Sequence, residues 1–200
     1  MTLIKSACQV ICSQANAFLG NIERRPDPWV VLTSLANRDG SMNESAADSV
    51  VMTVYNITRE SFASSYQPAS PMQPGASASG IAVVNPPVYI DLHIMFMANF
   101  TEKTYVEGLS ALSQVISCFQ MMPYLTAQNT PGLPPQITKL SLELENLSIT
   151  DVNYVMGVLG TKYLPSVFYK VRMLPFASQA MVARTYPVTS AEAGQTPEGL

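Results

Sequence analysis

The chain has 200 residues, a net charge of −3 at neutral pH and a charged fraction of 12%, about half of the roughly 25% that is typical of a soluble domain. This length suits one domain that buries about 70% of the surface of its unfolded chain, and the scarcity of charge indicates that neighbouring molecules cover part of the folded surface. The acidic balance excludes a sequence-independent nucleic-acid surface, and no apolar run approaches the about 18 residues of a membrane-spanning helix.

Three cysteines, Cys8, Cys12 and Cys118, are an odd number and do not predict a disulfide framework. A metal site at Cys8 and Cys12, which share one face of a predicted helix, would need two further ligands, and the single histidine is His93. We therefore expect buried thiols and no cofactor. Polar residues interrupt the first 20 positions, so they do not predict a secretion signal, and assembly is expected in the cytoplasm.

The first predicted element is a helix over residues 4–19, in which apolar side chains recur every three or four positions and which Gly20 ends. A β-branched and aromatic run at 29–35 predicts a short strand. Residues 49–57 are apolar on both faces, which is typical of a strand in the interior of a sheet.

Residues 64–87 are rich in Pro, Ala and Ser, carry no charge and show no periodicity, so they predict a long flexible loop. The next strand, at 88–99, alternates strictly and is predicted to have one core face. We expect neighbouring subunits to cover both the loop and the opposite face of this strand, which carries Tyr, Met and His. The following helix, with Thr104 and Glu107 as its capping box, extends to Phe119.

The last third of the chain predicts three further elements. They are a strand at 137–147, a short helix that begins at Thr150 and ends at Gly160, and a strand at 167–174. The 187–200 segment has no core material and predicts a disordered tail.

The order of these elements predicts an α+β domain over residues 1–186. Its sheet is expected to be mixed and mostly antiparallel, with about five strands and with helices packed on one face. No internal repeat divides the chain further.

A basic and aromatic concentration near the C-terminal end is the main candidate for a contact surface. Its residues are read either as an intersubunit contact, where Arg and Tyr are enriched, or as a solvated strand. The uncharged loop adds two candidates that would order on contact. The predicted contact residues are Met72, Pro74, Lys162, Tyr163, Lys170 and Arg172.

Several segments resemble the cap, or tail-terminator, protein of extracellular contractile injection systems of the antifeeding-prophage type. In the closing half these are PPVYIDLHIMFMANF, YVEGLSALSQVISCFQ, LPPQITKLSLELENL and LGTKYLPSVFYKVRML. The earlier runs WVVLTSLANRDG and SVVMTVYNI resemble the first strands of the family. The resemblance extends to about residue 176, and residues 160–174 are its most specific part.

The resemblance implies a structural protein with a phage tail-terminator-like fold and no catalytic role. By resemblance, the chain forms a six-fold ring at the end of the tube distal to the baseplate and stops polymerisation of tube and sheath. The implied partners are further copies of the chain, the sheath protein and the inner tube protein, in a particle that can be released from the cell. A ring protomer has two lateral contacts, which would account for the low charge.

Two other classes of function stay open. One is a small adaptor whose partner is not a tail. The other is a small enzyme that uses Asp91 and His93, which share one face of the predicted strand and could hydrogen-bond laterally. A polar pair on a sheet surface without catalytic work is the simpler interpretation of these two residues.

Overall fold

The computed structural model describes residues 3–37, 39–41, 43–60, 81–84, 88–176 and 181–185. In these ranges the chain forms three α-helices: α1 Leu3–Ile22, α2 Tyr105–Met121 and α3 Ile149–Val158. The strands described there are β1 Val30–Leu32, β2 Ser49–Arg59, β3 Ile81–Val84, β4 Val88–Asn99, β5 Tyr124–Thr126, β6 Lys139–Glu145, β7 Ser166–Phe176 and β8 Met181–Thr185.

The main sheet has six strands in the order β1-β2-β4-β7-β6-β5. β1 runs parallel to β2, and the other neighbouring strands are antiparallel. The predicted α+β fold with a mixed, mostly antiparallel sheet is therefore confirmed, and β2 lies in the interior, as its two apolar faces indicate. The sixth strand is β5, whose three residues are too few to show a period in the sequence.

A second, two-stranded sheet pairs β3 with β8. Because β3 lies within the predicted loop at 64–87, the loop prediction is wrong for residues 81–84. The run IAVV is too short to show alternation, and its partner strand lies roughly 100 residues later in the chain. The rest of the predicted loop and the predicted tail at 187–200 lie outside the described residues, so these two predictions and the domain boundary stay predictions.

One face of the main sheet packs against α1 and α2 and forms the larger core. On β4, Leu92, Ile94 and Phe96 are fully buried there. The Phe96 ring centroid lies 5.6 Å from that of Phe119 and 5.9 Å from that of Tyr169. Each such buried side chain stabilises the fold by about 1.5–3 kcal/mol, so this core fixes the two helices on the sheet.

The opposite face of the sheet carries a second, smaller core under α3. Met95 and Met97 of β4 are fully buried in it, beside Phe168 of β7. This corrects the prediction of a single core face on β4, and it places α3 on the other side of the sheet from α1 and α2 rather than beside them. The sequence pattern misled because Asp91 and His93, at the other end of the same face, made the whole face look solvated.

The N-terminus of α2 differs from its prediction. Thr104 is the N-cap residue, but its side chain makes no capping hydrogen bond. Its hydroxyl lies 2.9 Å from that of Thr101 and donates to Asp48 at 3.2 Å. The predicted capping box with Glu107 is therefore wrong, because the loop before β2 supplies a competing acceptor.

Candidate interface

The turn between α3 and β7 holds Lys162 and Tyr163, two of the predicted contact residues. Both are exposed, and Tyr163 retains 70% of its accessible surface. Met72 and Pro74, which belong to the same prediction, lie outside the described residues. Of the predicted set, Lys162 and Tyr163 are thus the pair that the structure leaves open to a partner.

Lys170 and Arg172 lie in the middle of β7 and form ion pairs within the chain. The Arg172 guanidinium donates to both carboxylate oxygens of Glu60, at 2.7 and 2.9 Å, and to Glu143 at 3.1 Å. Lys170 Nζ lies 3.1 Å from Asp91 Oδ2. Glu60 and Asp91 are only 2% and 1% exposed, so these cations neutralise buried carboxylates. A role for Lys170 and Arg172 at an interface stays a prediction.

The electrostatics of this cluster are set by the burial of Asp91. Burial raises the pKa of Asp91 above its ordinary value, and the neighbouring carboxyl group of Glu60 raises it further, whereas Lys170 lowers it. The register between β4 and β7 shifts opposite Asp91, so that β7 carries one extra residue at this point. Such a bulge re-aims side chains, and here Arg172 lies in it.

His93 is held by hydrogen bonds on both ring nitrogens. Nε2 lies 2.9 Å from the hydroxyl of Thr58, and Nδ1 lies 2.9 Å from Glu145 Oε2. The Tyr55 hydroxyl donates to the same Glu145 oxygen at 2.9 Å. The hydrogen bonds of His93 therefore do not include Asp91, and the lateral contact that the enzyme alternative assumes is not formed.

Caps at both ends define α3. At its start, the Ser148 hydroxyl accepts from the Asp151 backbone amide while the Asp151 carboxylate accepts from the Ser148 amide, which is a capping box. At its end, Gly160 has a φ of 66°, as the sequence predicts. The amide of Thr161 donates to the Met156 carbonyl at 3.1 Å, which completes a Schellman motif. These caps fix the direction of the exposed face of α3.

The exposed face of α3 is unusually apolar. Met156 is its one fully buried side chain, whereas Ile149 and Val158 retain 83% and 85% of their accessible surface and Tyr154 retains 70%. We call Ile149, Tyr154, Val158 and Tyr163 the α3 patch. Sequence reasoning missed its first three members, although a signal was present, because these residues are apolar yet lie off the buried stripe of the helix.

A second apolar surface lies on α2, on the other side of the sheet. Its exposed side chains include Tyr105, Val106, Leu109, Ile116 and Met121, and Val106 and Met121 are 76% and 71% exposed. We call these five residues the α2 patch. Exposed apolar surface that is continuous along a helix marks a contact site more often than a solvated surface.

The polar residues between the members of the α2 patch bind the helix itself. The hydroxyl of Ser113 donates to the Leu109 carbonyl and that of Ser117 to the Ser113 carbonyl, both at 2.9 Å. Glu107 is the single charged residue of this helix. A partner that covered the α2 patch would therefore displace few water molecules that bind strongly.

An open groove of about 830 Å³ lies between α1 and the segment that leads to β1. Arg24, Arg25 and Trp29 line it. The Arg25 guanidinium lies over the Trp29 ring at 4.7 Å and donates to the Asp48 carbonyl at 2.8 Å. Arg25 thus fastens the segment before β1 to the loop before β2.

Both edges of the main sheet are closed by an asparagine side chain. At β1, the Asn16 amide donates to the Val30 carbonyl at 2.7 Å and accepts from the Val30 amide at 2.8 Å. At β5, Asn129 donates to the Tyr124 carbonyl and accepts from the Thr126 amide, both at 2.8 Å. Because open edges are templates for strand addition, these contacts leave helix surfaces, rather than sheet edges, for binding a partner.

The described residues include no group of three or more His, Cys, Asp or Glu side chains that could hold a metal ion. Cys8 and Cys118 are buried, as the sequence predicts, and Cys12 is half-buried. Burial raises the pKa of Cys118 to about 11, so this thiol stays protonated at neutral pH. In the part of the chain that the structure covers, no helix combines the length and the apolar character needed to cross a membrane.

The fold is that of the proteins that close contractile injection tubes. The whole chain matches the sheath/tube terminator of the extracellular contractile injection system PVC in its extended state, with a TM-score of 0.65, 15% identity and coverage of 65% of that chain. The tube-terminating cap of the anti-feeding prophage matches with a TM-score of 0.59 and 11% identity, over 99% of this chain and 63% of the other. The present chain thus spans slightly less than two thirds of both proteins.

Residues 16–190 match the Pvc16 N-terminal domain family, so the chain belongs to that family. This confirms the family resemblance found in the sequence. No curated protein matches the sequence.

Proposed function

We propose that the protein is a cap that forms a ring at the baseplate-distal end of a contractile injection particle and ends the polymerisation of tube and sheath. The observation that carries this proposal is membership of the Pvc16 N-terminal domain family over residues 16–190. The fold shared with a sheath/tube terminator and with a tube-terminating cap supports it.

The surface of the chain suits this role. A terminal layer must bind the layer below and its own neighbours, and it must offer nothing to which a further layer can add. The α2 and α3 patches supply apolar contact surfaces, while the asparagine contacts at β1 and β5 close both sheet edges. The expected partners are the sheath protein, the inner tube protein and further copies of the chain, six in the ring.

Electron microscopy of particle ends tests the proposal. Particles assembled with the protein should carry additional density at the baseplate-distal end, which a gold-labelled or epitope-tagged copy would mark. Particles assembled without the protein should lose that density and vary more in length. Label along the whole particle, at the baseplate or nowhere would contradict the proposal, and capture of the protein with an unrelated partner would favour the adaptor alternative.

We propose that the role is structural rather than enzymatic, with assembly in the cytoplasm. The arrangement of His93 supports this, because Thr58 and Glu145 occupy both ring nitrogens. The His93→Gln variant should therefore cap particles normally. A capping defect in a folded His93→Gln protein would contradict a purely structural role for this residue.

A further inference from the structure

We infer that the ring closes through a head-to-tail contact in which the α3 patch of one copy packs against the α2 patch of the next. The inference rests on the proposed ring-forming function and identifies the surface that each neighbour uses. The occupant of both patches is therefore a second copy of this chain.

The chemistry of the two patches matches. Both consist of aliphatic and aromatic side chains, and the α3 patch has no polar group except the hydroxyls of Tyr154 and Tyr163. On α2 the hydroxyls of Ser113 and Ser117 are bonded to the helix backbone. Surfaces of this kind gain by covering each other, because contact removes apolar area from water and breaks few hydrogen bonds with solvent.

The charges at the rims are complementary. Lys162 is the exposed charge within the turn of the α3 patch, and Glu107 is the exposed charge in the first turn of α2. Asp151 on α3 is occupied by its capping bonds, and Glu102 and Lys103 before α2 carry opposite charges. A contact between the patches therefore brings Lys162 and Glu107, of opposite sign, to one rim.

The positions of the patches on the fold require a heterologous contact. α2 packs on the face of the sheet that contains the larger core, and α3 packs on the opposite face. A two-fold dimer would use one patch twice and leave the other exposed. A head-to-tail contact covers both patches in every copy, and such contacts close into a ring when the rotation allows it.

Two variants that each block one patch test the inference in solution. Val106→Glu places a charge in the α2 patch, and Val158→Glu places one in the α3 patch; both sites are more than three quarters exposed, so the fold should tolerate them. By sedimentation at about 100 µM protein, we expect the wild type to form oligomers and each variant to be monomeric. The matched control is Ile22→Glu, which makes the same change at the last residue of α1 and should assemble like the wild type.

Mixing the two variants identifies the contact as head-to-tail. The intact α2 patch of the Val158→Glu protein can bind the intact α3 patch of the Val106→Glu protein, and the remaining patches both carry Glu. We therefore expect the mixture to form heterodimers and nothing larger. Monomeric wild-type protein, variants that assemble normally, or a mixture that stays monomeric would each overturn the inference.

The outcome is separable from that of the proposed function. Protein located at particle ends, with assembly unaffected by either variant, would reject this contact and keep the cap. Oligomers that depend on both patches, formed by a protein absent from particle ends, would keep the contact and reject the cap. Thermal unfolding of each variant confirms that loss of assembly is not loss of the fold.

Discussion

Arg172 connects strands that are not neighbours in the sheet. Its partner Glu60 follows β2, whereas Arg172 lies in β7, and β4 runs between these strands. Asp91 of β4 and Lys170 of β7 complete the cluster at its centre. Because Glu60 and Asp91 are almost fully buried, the cluster is maintained by exact pairing of charges rather than by hydration, and the loss of one partner should be costly.

The Arg172→Gln substitution tests this dependence. It leaves the buried Glu60 carboxylate without its two-pronged partner, so we expect the free energy of unfolding to fall by about 3 kcal/mol in urea titrations. Glu143→Gln is the control, because Glu143 is about half exposed and an exposed pair contributes at most about 1 kcal/mol. Equal losses in the two variants would show that burial does not decide the strength of these pairs.

The raised pKa of Asp91 predicts a pH dependence of stability. Burial is the largest cause, followed by the Glu60 carboxyl group, and Lys170 opposes both. A carboxyl whose pKa is higher in the folded than in the unfolded state binds its proton more tightly when folded. Its favourable contribution is therefore complete below the unfolded pKa of about 3.9 and is lost as the pH rises through the folded pKa.

Comparison of the wild type with Asp91→Asn isolates this contribution. The free energy of unfolding of the wild type, relative to that of the variant, should decrease as the pH rises from about 4 towards neutrality. Urea titrations at several pH values measure the difference. A difference that increased with pH would mean that the Lys170 pair outweighs burial and lowers the pKa of Asp91.

At the scale of elements, the sequence allowed prediction where a pattern repeats along one segment. The alternation over β4 and the apolar stripes of α1 and α2 are of this kind, and these elements lie close to where they were expected. β8 and the cover over Met95 and Met97 were not predictable in the same way, because each depends on a partner distant in the chain. The candidate interface was predicted only in part: Tyr163 was found, whereas Tyr154 and Val158 were assigned no role.

The closed edge at β5 predicts the effect of Asn129→Ala. The substitution frees the outward carbonyl of Tyr124 and amide of Thr126, which should lower the free energy of unfolding by about 1 kcal/mol and allow strand-mediated self-association. Urea titration and light scattering on heating measure the two effects. Asn21→Ala, on the exposed end of α1, should change stability by less than about 0.5 kcal/mol, and the same loss at Asn21 would contradict an edge effect.

Two glycines three residues apart in the α3 region should respond in opposite directions to alanine. Gly157 lies inside the helix with no atom within 4 Å of an added methyl group, so Gly157→Ala should stabilise the protein by about 0.5–1 kcal/mol. Gly160 has a φ of 66°, where a side chain is strained, so Gly160→Ala should destabilise it by about 1 kcal/mol. Urea titrations that gave the same sign for both variants would reject the assignment of the α3 C-cap.

Across the whole molecule, the scarce charge is distributed unevenly. Each helix carries a single charged residue, namely Lys5, Glu107 or Asp151. The charges of the polar cluster around Arg172 are instead paired within the chain. The low charge first noted in the sequence therefore corresponds to helix surfaces on both sides of the sheet, which suits a protomer with neighbours on two sides.

This distribution predicts how self-association responds to salt. The Debye length falls from about 10 Å at 0.1 M to about 3 Å at 1 M ionic strength, so contacts between charged surfaces weaken strongly over this range. Contacts between the α2 and α3 patches are apolar and lose only the small contribution of Lys162 and Glu107 at their rim. We therefore expect the association constant, measured by sedimentation equilibrium, to change less than about threefold between 0.1 and 1 M NaCl. A tenfold fall would show that charged groups, and not the two apolar patches, hold the copies together.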